Sequence, residues 1–378
     1  MIGPDNTIGI FGGGQLGRMS GIAARRMGYG VAVFEPAPNC PAGAIADLEV
    51  NADYEDVEAL DRFLAAVDVV TYEFENIPAA TLRHAAEQRP INPSAEILHI
   101  CQNREREKNF LRAAGIPHAD FKVVESAEEL SLAFEAIGFP CVLKTVEFGY
   151  DGKGQIKIAE TPSDPDALWN NFDCPRGLLE AWIPFEKELS VIVARNNHAV
   201  SAMFPVGENI HTDHILDITI VPARVSDRVI ETALNIGRTV ADLLELTGLL
   251  AVELFLTKSG DLLVNEMAPR PHNSGHYSFD ACKTSQFEQH VRSVCDLPLG
   301  STDLLTPVVM VNILGQAWSG GEPDWATLLA EPGTKLHLYG KAAARKGRKM
   351  GHYCVLSNSI DDALDRAIRI KAEVFDES

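Results

Sequence analysis

Leu249-Leu250-Ala251-Val252-Glu253-Leu254-Phe255-Leu256 and Asp261-Leu262-Leu263-Val264-Asn265-Glu266-Met267 read as the two strands of one hairpin, with Pro269-Arg270-Pro271-His272-Asn273-Ser274-Gly275-His276 close behind. Short apolar runs bounded by turn residues are strand signals. With Ser259-Gly260 as a two-residue loop, Lys258 pairs with Asp261, and counting back puts Glu253 opposite Glu266. Directly opposed side chains stand about 4.5–5.5 Å apart at Cβ, where like charges repel. Two facing carboxylates in an apolar hairpin are explained economically by a hard cation with oxygen ligands. A register one residue off sends the acids to opposite faces and removes that argument.

Working outward, 378 residues imply two or three domains. The 33 basic and 53 acidic residues leave a formal charge of −20, which argues against nucleic-acid or anionic-membrane binding as the main role. Basic residues are therefore expected to act locally, at anion sites. The seven cysteines are scattered and lack a Cys-x-x-Cys pair, so neither a disulfide framework nor a zinc site is suggested. No signal peptide and no membrane-spanning apolar run are evident, and a soluble, cytoplasmic protein is expected.

The first ninety or so residues alternate strand and helix: strands at Thr7–Phe11, Val31–Phe34 and Val67–Val70, helices at 15–28 and 56–66. That alternation implies a parallel sheet with helices on its faces. Pro90 to Ser94 reads as a break before a charged helix from Asn103 to Ala113. From about 115 the pattern becomes α+β, with strands at 121–124, 141–145, 155–158, 186–194 and 198–204. Helices are expected at 126–137, 228–246 and 284–295, and Asp164-Pro165-Asp166 reads as a surface loop. The last eighty residues hold an apolar strand (Val308–Leu314), a basic segment (Lys341 to Lys349) and a helix after Ser359.

Gly12-Gly13-Gly14-Gln15-Leu16-Gly17 fits the dinucleotide fingerprint, opening a helix after a strand, with Glu35 closing the next strand. The physics is broader: amides at a helix N-terminus bind any phosphate or carboxylate, so NAD and other anions both stay open here. Tyr72-Glu73-Phe74-Glu75-Asn76 lies at the C-terminal end of a parallel strand, where such sheets bind ligands. A plain turn capped by Asn76 fits it equally. Phe148 to Gln155 places three glycines and Lys153 after the strand ending in Lys144; this suits phosphate contact, although a glycine-rich hairpin turn is the plainer alternative. Lys144, closing an apolar strand, needs an anionic partner or an exit to water. Leu178 to Pro184 reads as a strand and connector whose free backbone groups suit a purine edge, with Glu188 able to hold ribose hydroxyls; a linker and a solvated charge run are the alternative.

Together these segments resemble the ATP-grasp superfamily and, within it, the 5-(carboxyamino)imidazole ribonucleotide synthase family. The match runs nearly end to end, from Gly12–Met19 through Tyr72–Asn76, Gly149–Gln155 and Asn265–His276 to Leu338–Lys341 and Arg348–His352. The resemblance implies an α/β architecture: an N-terminal doubly wound (pre-ATP-grasp) domain over 1–95, a two-lobed ATP-grasp α+β domain over 96–300 with a mobile lid lobe at about 115–180, and a small C-terminal β-rich domain over 301–378. By the same resemblance, Arg104 and Lys144 contact ATP phosphates, and Gly149, Tyr150, Asp151, Gly152, Lys153, Gly154 and Gln155 fold over them. Glu180, Ala181, Trp182 and Ile183 meet adenine, with Glu188 on the ribose, His211 nearby, Asn265 at the nucleotide, and Glu253 and Glu266 carrying Mg²⁺.

The implied reaction is that of a ligase: ATP and bicarbonate give carboxyphosphate, whose carboxyl passes to the exocyclic amine of 5-aminoimidazole ribonucleotide in purine biosynthesis. Arg270 is expected to hold bicarbonate bidentately. Tyr150, Asp151, Lys153 and Lys341 are expected to position the imidazole and move its proton; lid contacts and surface charge are the alternative for these four. The substrate's phosphate is expected at Gln15 and Leu16 with Arg348 and Lys341, and the rest of that nucleotide at Glu73, Asn76, His272, Asn273 and Ser274. A homodimer is the family expectation. Rival readings are formate-dependent glycinamide ribonucleotide transformylase, biotin carboxylase, an NAD-dependent oxidoreductase and a catalytically silent nucleotide-binding module. No biotinyl carrier segment is evident, since Lys349-Met350 lies in an Arg/Lys-rich stretch.

Overall fold

The computed structural model describes residues 1–147 and 154–375. Strands β1 (Thr7–Phe11), β2 (Gly30–Phe34), β3 (Leu48–Val50) and β4 (Val69–Tyr72) make a parallel sheet in the order β3-β2-β1-β4. Helices α1 (Gln15–Arg26), α2 (Val57–Ala65) and α3 (Ala79–Gln88) follow β1, β3 and β4. β1 is buried on both faces, which is why Ile8, Ile10 and Phe11 run almost unbroken. Gly9 interrupts them because a Cβ there would lie 2.8 Å from the Phe63 ring on α2. The C-terminal ends of β1 and β4 point the same way and bring the glycine run beside Glu73.

Helices α4 (Ala95–Cys101) and α5 (Arg104–Ala113) lead into the next region, and Asn103 caps α5 by accepting from the Arg106 amide at 3.0 Å. Strands β5 (Phe121–Val124), β6 (Cys141–Thr145), β7 (Gln155–Ile158) and β8 (Gly177–Ala181) form an antiparallel sheet in the order β5-β8-β6-β7. Helices α6 (Ala127–Ile137) and α7 (Pro165–Phe172) pack on it. Asp164-Pro165-Asp166, expected as a surface loop, instead starts α7: Asp164 accepts from the Ala167 amide at 2.9 Å and Pro165 occupies the first turn.

The third sheet is antiparallel and has nine strands: β9 (Phe185–Arg195), β10 (Ser201–Met203), β11 (Gly207–Thr212), β12 (Ile215–Val221), β13 (Gly248–Thr257), β14 (Leu262–Ala268), β15 (Val308–Leu314), β16 (Thr334–Leu338) and β17 (Lys349–Leu356). Its order is β14-β13-β9-β11-β12-β15-β17-β16, with β10 beside β9. The C-terminal strands therefore continue this sheet, since β15 pairs with β12. Helix α8 (Asp227–Leu243) covers the β9–β13 part. Short α9 (Ser278–Ala281) leads to α10 (Gln286–Val294), which packs against α1, β4, β9 and β13. Helices α11 (Trp325–Ala330) and α12 (Ile360–Val374) close the C-terminal end, where α12 buries Ala363, Ala367 and Ile370. No helix among the described residues is long and apolar enough to cross a membrane.

The β13–β14 hairpin matches the expected glutamate pairing through a different path. The loop has three residues, 258–260, because the Thr257 amide donates to Asp261 O at 2.9 Å and Gly260 adopts φ +87°. A left-handed third loop residue is the usual way to close such a hairpin. This shifts the register by one, so Leu254 faces Val264 and Leu256 faces Leu262. A bulge at Asn265 then restores the count, and Glu253 faces Glu266 after all. Replacing Gly260 by Ala forces a side chain into the left-handed region and should cost about 1 kcal/mol of unfolding free energy in urea titration. Turnover should be unchanged, because the turn lies away from the glutamates.

Candidate functional site

A cavity of about 1070 Å³ lies where the three sheets meet. Of the residues expected there, Gln15, Leu16, Glu73, Asn76, Arg104, Lys144, Gln155, Glu180, Ala181, Trp182, Ile183, Glu188, His211, Glu253, Asn265, Glu266, Arg270, His272 and Asn273 all line it. Gly149, Tyr150, Asp151, Gly152 and Lys153 lie outside the described residues. Gly154 ties the start of β7 to the end of β6: φ is +69°, its carbonyl accepts from the Thr145 amide at 2.8 Å, and a Cβ would strike the Thr145 hydroxyl at 2.6 Å.

At one end stand the two glutamates. Burial, and then the charge of Glu266, push the Glu253 carboxyl well above the usual carboxylate range. Beneath them Glu107 accepts from the Met267 amide at 2.5 Å; burial raises its carboxyl to about 8 against the pull of Lys108, with Glu266 adding to the rise. His272 Nε2 lies 3.3 Å from Glu253 Oε1, yet burial and the Arg270 charge hold that imidazole neutral, so it offsets little of the repulsion. Two hard oxygen donors with excess negative charge fit Mg²⁺. Among the described residues no group of three His, Cys, Asp or Glu side chains converges on a point. Mg²⁺ takes one or two carboxylates and completes its shell with substrate phosphate and water.

Beside the glutamates is a buried charge cluster. Lys108 on α5, only 2% exposed, reaches Glu180 Oε1 at 2.8 Å and the Asn265 carbonyl at 3.0 Å, and Lys144 pairs with the other oxygen of Glu180. Burial alone would raise the Glu180 carboxyl, but the two ammonium groups pull it to about 2. Lys144 thus has its anionic partner inside the chain, and Glu180 presents a carboxylate to lysines rather than to a base. Arg104 donates to the Thr145 carbonyl at 2.9 Å while lining the cavity. The open backbone run expected at 180–183 is narrower than read: the Ala181 and Trp182 amides donate to Asp120 O and Pro140 O, leaving the Ile183 amide without an acceptor among the described residues. Glu188 and His211 form a pair at 2.6 Å, where the Glu188 charge outweighs burial and raises the imidazole.

The opposite end corrects several expectations. The N-terminal amides of α1 are already engaged by carboxylates of the chain: Glu73 accepts from Gly14 and, at 2.8 Å, from Gly17, and Glu35 accepts from Gly13 at 2.9 Å. A dinucleotide pyrophosphate would meet Glu73 in its seat, and a Cβ on Gly14 would lie 2.4 Å from that carboxylate. The glycines serve this self-capping turn, which removes the support for NAD. Gln15 and Leu16, whose amides have no acceptor within the helix, still line the cavity. Asn76 caps nothing, since α3 starts after Pro78 with no side-chain cap.

Arg270 is paired with Glu75 at 2.9 Å, and its buried Nε has no acceptor among the described residues. Ser274 is not on the cavity wall: it lies behind His272, with its hydroxyl 2.9 Å from Nδ1. Asn273 lines the cavity, but its amide exchanges two hydrogen bonds with Asn312, at 3.0 and 2.8 Å. Lys341 and Arg348 stand outside the cavity wall, donating to the carbonyls of Lys349 and Ala343. Lys341 is nonetheless close enough to Glu73 for their charges to act on each other.

The ribonucleotide synthetase preATP-grasp domain family matches residues 5–102, the ATP-grasp domain family residues 109–287, and the phosphoribosylaminoimidazole carboxylase C-terminal domain family residues 308–366. The N5-carboxyaminoimidazole ribonucleotide synthase of Bacillus subtilis (strain 168) is 47% identical over 364 residues, spanning 96% of this chain and 94% of that one. The chain belongs to the N5-carboxyaminoimidazole ribonucleotide synthase family. Solved structures of the family agree. An ADP complex of the synthetase has a TM-score of 0.92 at 46% identity, over 98% of this chain and 97% of that one. The Aspergillus clavatus synthase in complex with ADP and 5-aminoimidazole ribonucleotide has a TM-score of 0.87 at 31% identity, over 97% of each chain.

The cavity also contains Glu75, read only as part of the Tyr72–Asn76 motif, and charged residues that sequence reasoning missed: Glu107, Lys108 and Lys349. A signal for two of them existed. Arg104, Glu107, Lys108 and Leu111 share the i, i+3, i+4, i+7 face of α5, so charges occupy positions where an amphipathic helix buries apolar residues. Lys349 gave no such signal within a basic run. Burial, helped by Arg348 and Lys349 and opposed by Glu73, lowers the Lys341 ammonium to about 8. NMR titration of lysine side chains should therefore find one group losing its proton near pH 8, absent in Lys341→Gln; a Lys341 signal titrating above about 10, the ordinary lysine range, contradicts this burial.

Proposed function

We propose that the protein carboxylates the exocyclic amine of 5-aminoimidazole ribonucleotide, consuming ATP and bicarbonate and releasing ADP and phosphate, as a step of purine biosynthesis. The observation that carries this reading is the facing pair Glu253 and Glu266 in the same cavity as Arg270, Arg104 and the Lys108–Glu180–Lys144 cluster. The pair suits a Mg²⁺–nucleotide, and Arg270, with an unpaired buried donor, suits bicarbonate. The Aspergillus clavatus relative, bound to ADP and 5-aminoimidazole ribonucleotide, supports the choice of both substrates. The C-terminal match to a phosphoribosylaminoimidazole carboxylase domain disfavours the formate-dependent transformylase.

In this reading a bicarbonate oxygen attacks the γ-phosphorus, the bond to the ADP oxygen breaks, and carboxyphosphate forms. Bicarbonate is a weak nucleophile, so the site must stabilise charge gathering on the transferring phosphoryl group. Arg104 and Lys144 take that role, and Lys108 keeps Glu180 satisfied when Lys144 turns to phosphate. Glu253 and Glu266 would hold a Mg²⁺, which would supply Lewis acidity to the phosphoryl transfer. Arg270 holds bicarbonate, and the Ile183 amide meets adenine while Glu188 and His211 face its ribose. The carboxyl carbon then bonds to the substrate amine, its bond to the phosphate oxygen breaks, and the amine loses a proton.

Asp151, Tyr150, Lys153 and Lys341 are our candidates for handling that proton and placing the imidazole. Gly149 to Gln155 are assigned to covering the phosphates, and Gln15 and Leu16 with Lys341 and Arg348 to the substrate phosphate. The reading also includes functional regions at 1–95, 96–300 and 301–378 and a homodimer, which follow from the family resemblance, and the cytoplasmic location expected from the sequence.

The protein should release ADP only when bicarbonate and 5-aminoimidazole ribonucleotide are both supplied for productive turnover; stimulation by formate and glycinamide ribonucleotide instead sinks the reading. Glu266→Gln should lower kcat by about 100-fold or more. Its melting temperature without metal should be unchanged or higher, because one of two repelling charges is gone. Normal turnover in that variant removes the metal from the account.

A further inference from the structure

The turn after β14 carries Arg270 and His272 to the cavity, yet it belongs to no sheet. At His272 both backbone groups are held by one side chain at the start of α10. Gln286 has no exposed surface. Its Oε1 accepts from the His272 amide at 2.9 Å, and its Nε2 donates to the His272 carbonyl at 2.7 Å. One carboxamide thus satisfies both backbone groups of one residue, as a neighbouring strand would. Nε2 also lies 3.3 Å from His276 Nδ1. The Gln286 amide donates to the Ser278 hydroxyl at 2.9 Å, and that hydroxyl donates to the Gly275 carbonyl at 2.6 Å. Gly275 leaves the room: a Cβ there would stand 2.6 Å from Gln286 Oε1 and 2.2 Å from Ile192 Cδ1.

What rides on this clamp is the bicarbonate end of the site. His272 reaches toward Glu253, and Arg270, two residues earlier, keeps a buried Nε without an acceptor among the described residues. Glutamine alone fits the position. A glutamate carboxylate lacks the donor for the His272 carbonyl, methionine lacks both groups, and asparagine is one methylene too short. We propose that Gln286 is a positioning residue for the carboxylation, fixing the peptide at His272 so that Arg270, two residues earlier, meets bicarbonate in reactive geometry. The proposal rests on the reaction proposed above.

The test is steady-state kinetics of Gln286→Met and Gln286→Glu, varying bicarbonate and ATP separately. Because small misplacements of reacting groups are costly, the KM for bicarbonate should rise by about tenfold or more and kcat should fall, while the KM for ATP stays within about twofold. A purely structural role lowers the active fraction and leaves both KM values in place, and that result overturns the proposal, as does wild-type kinetics. If the Met variant fails to fold, the Glu variant decides. Its protonated acid can donate where the amide did, so its activity relative to wild type should recover as pH is lowered from about 9 to about 6. A pH-independent ratio contradicts the clamp. The wild-type control separates the two claims: no bicarbonate dependence there removes the proposed reaction, whereas intact dependence with unshifted variants removes only the role of Gln286.

Discussion

Repulsion between Glu253 and Glu266 is the constraint around which the site is organised. At a cross-strand spacing of about 5 Å and an effective dielectric near 20, two full charges repel by about 3 kcal/mol. The protein tolerates this by raising the Glu253 carboxyl, since the neutral His272 beside it offsets little of the charge. On the proposed reading, a dication would remove the repulsion and convert it into affinity for a metal–nucleotide. The hairpin delivers the pair only because the Asn265 bulge undoes the one-residue shift imposed by the three-residue loop.

Around that pair the other charges are graded by the partners the chain gives them. Lys108 and Lys144 share Glu180, so this cluster holds more positive than negative charge within the cavity wall. Removing one partner of such a cluster exposes the desolvation cost of the others, which makes it a single unit and not three independent contacts. At the far end Glu73 occupies the amides that a dinucleotide would use, and Lys341 stands near it with a lowered ammonium pKa. On the proposed reading, one acidic chain thereby builds two separated anion-binding regions from a few local cations.

Much of this was legible in the sequence, for identifiable reasons. Strong periodicity located β1, β6, β13 and β15 and the long α8, because buried strands and amphipathic helices must repeat their apolar positions. The glutamate pairing was read correctly although the loop was misread, since the loop and the bulge contribute equal and opposite shifts. The glycine fingerprint was misleading because the motif records only that backbone amides come close to an anion. It does not say that the anion is Glu73 of the same chain. Ser274 and Asn273 sat inside a motif that faces the site, but only the folded turn shows Ser274 behind His272 and Asn273 tied to Asn312. Gln286 could not be singled out at all. A buried glutamine at a helix start reads like any capping-region polar residue until its partner, His272, fourteen residues away, is in place.

The central claim is that this cavity joins bicarbonate to the γ-phosphoryl group of ATP before the carboxyl moves to the amine. Oxygen-18 tracing tests it most directly. With ¹⁸O-labelled bicarbonate, cleavage of the carbonyl carbon–oxygen bond of carboxyphosphate leaves one bicarbonate oxygen on phosphorus, so mass spectrometry of the released phosphate should show one label per turnover. Phosphate free of label, with carboxylated product formed, contradicts the account.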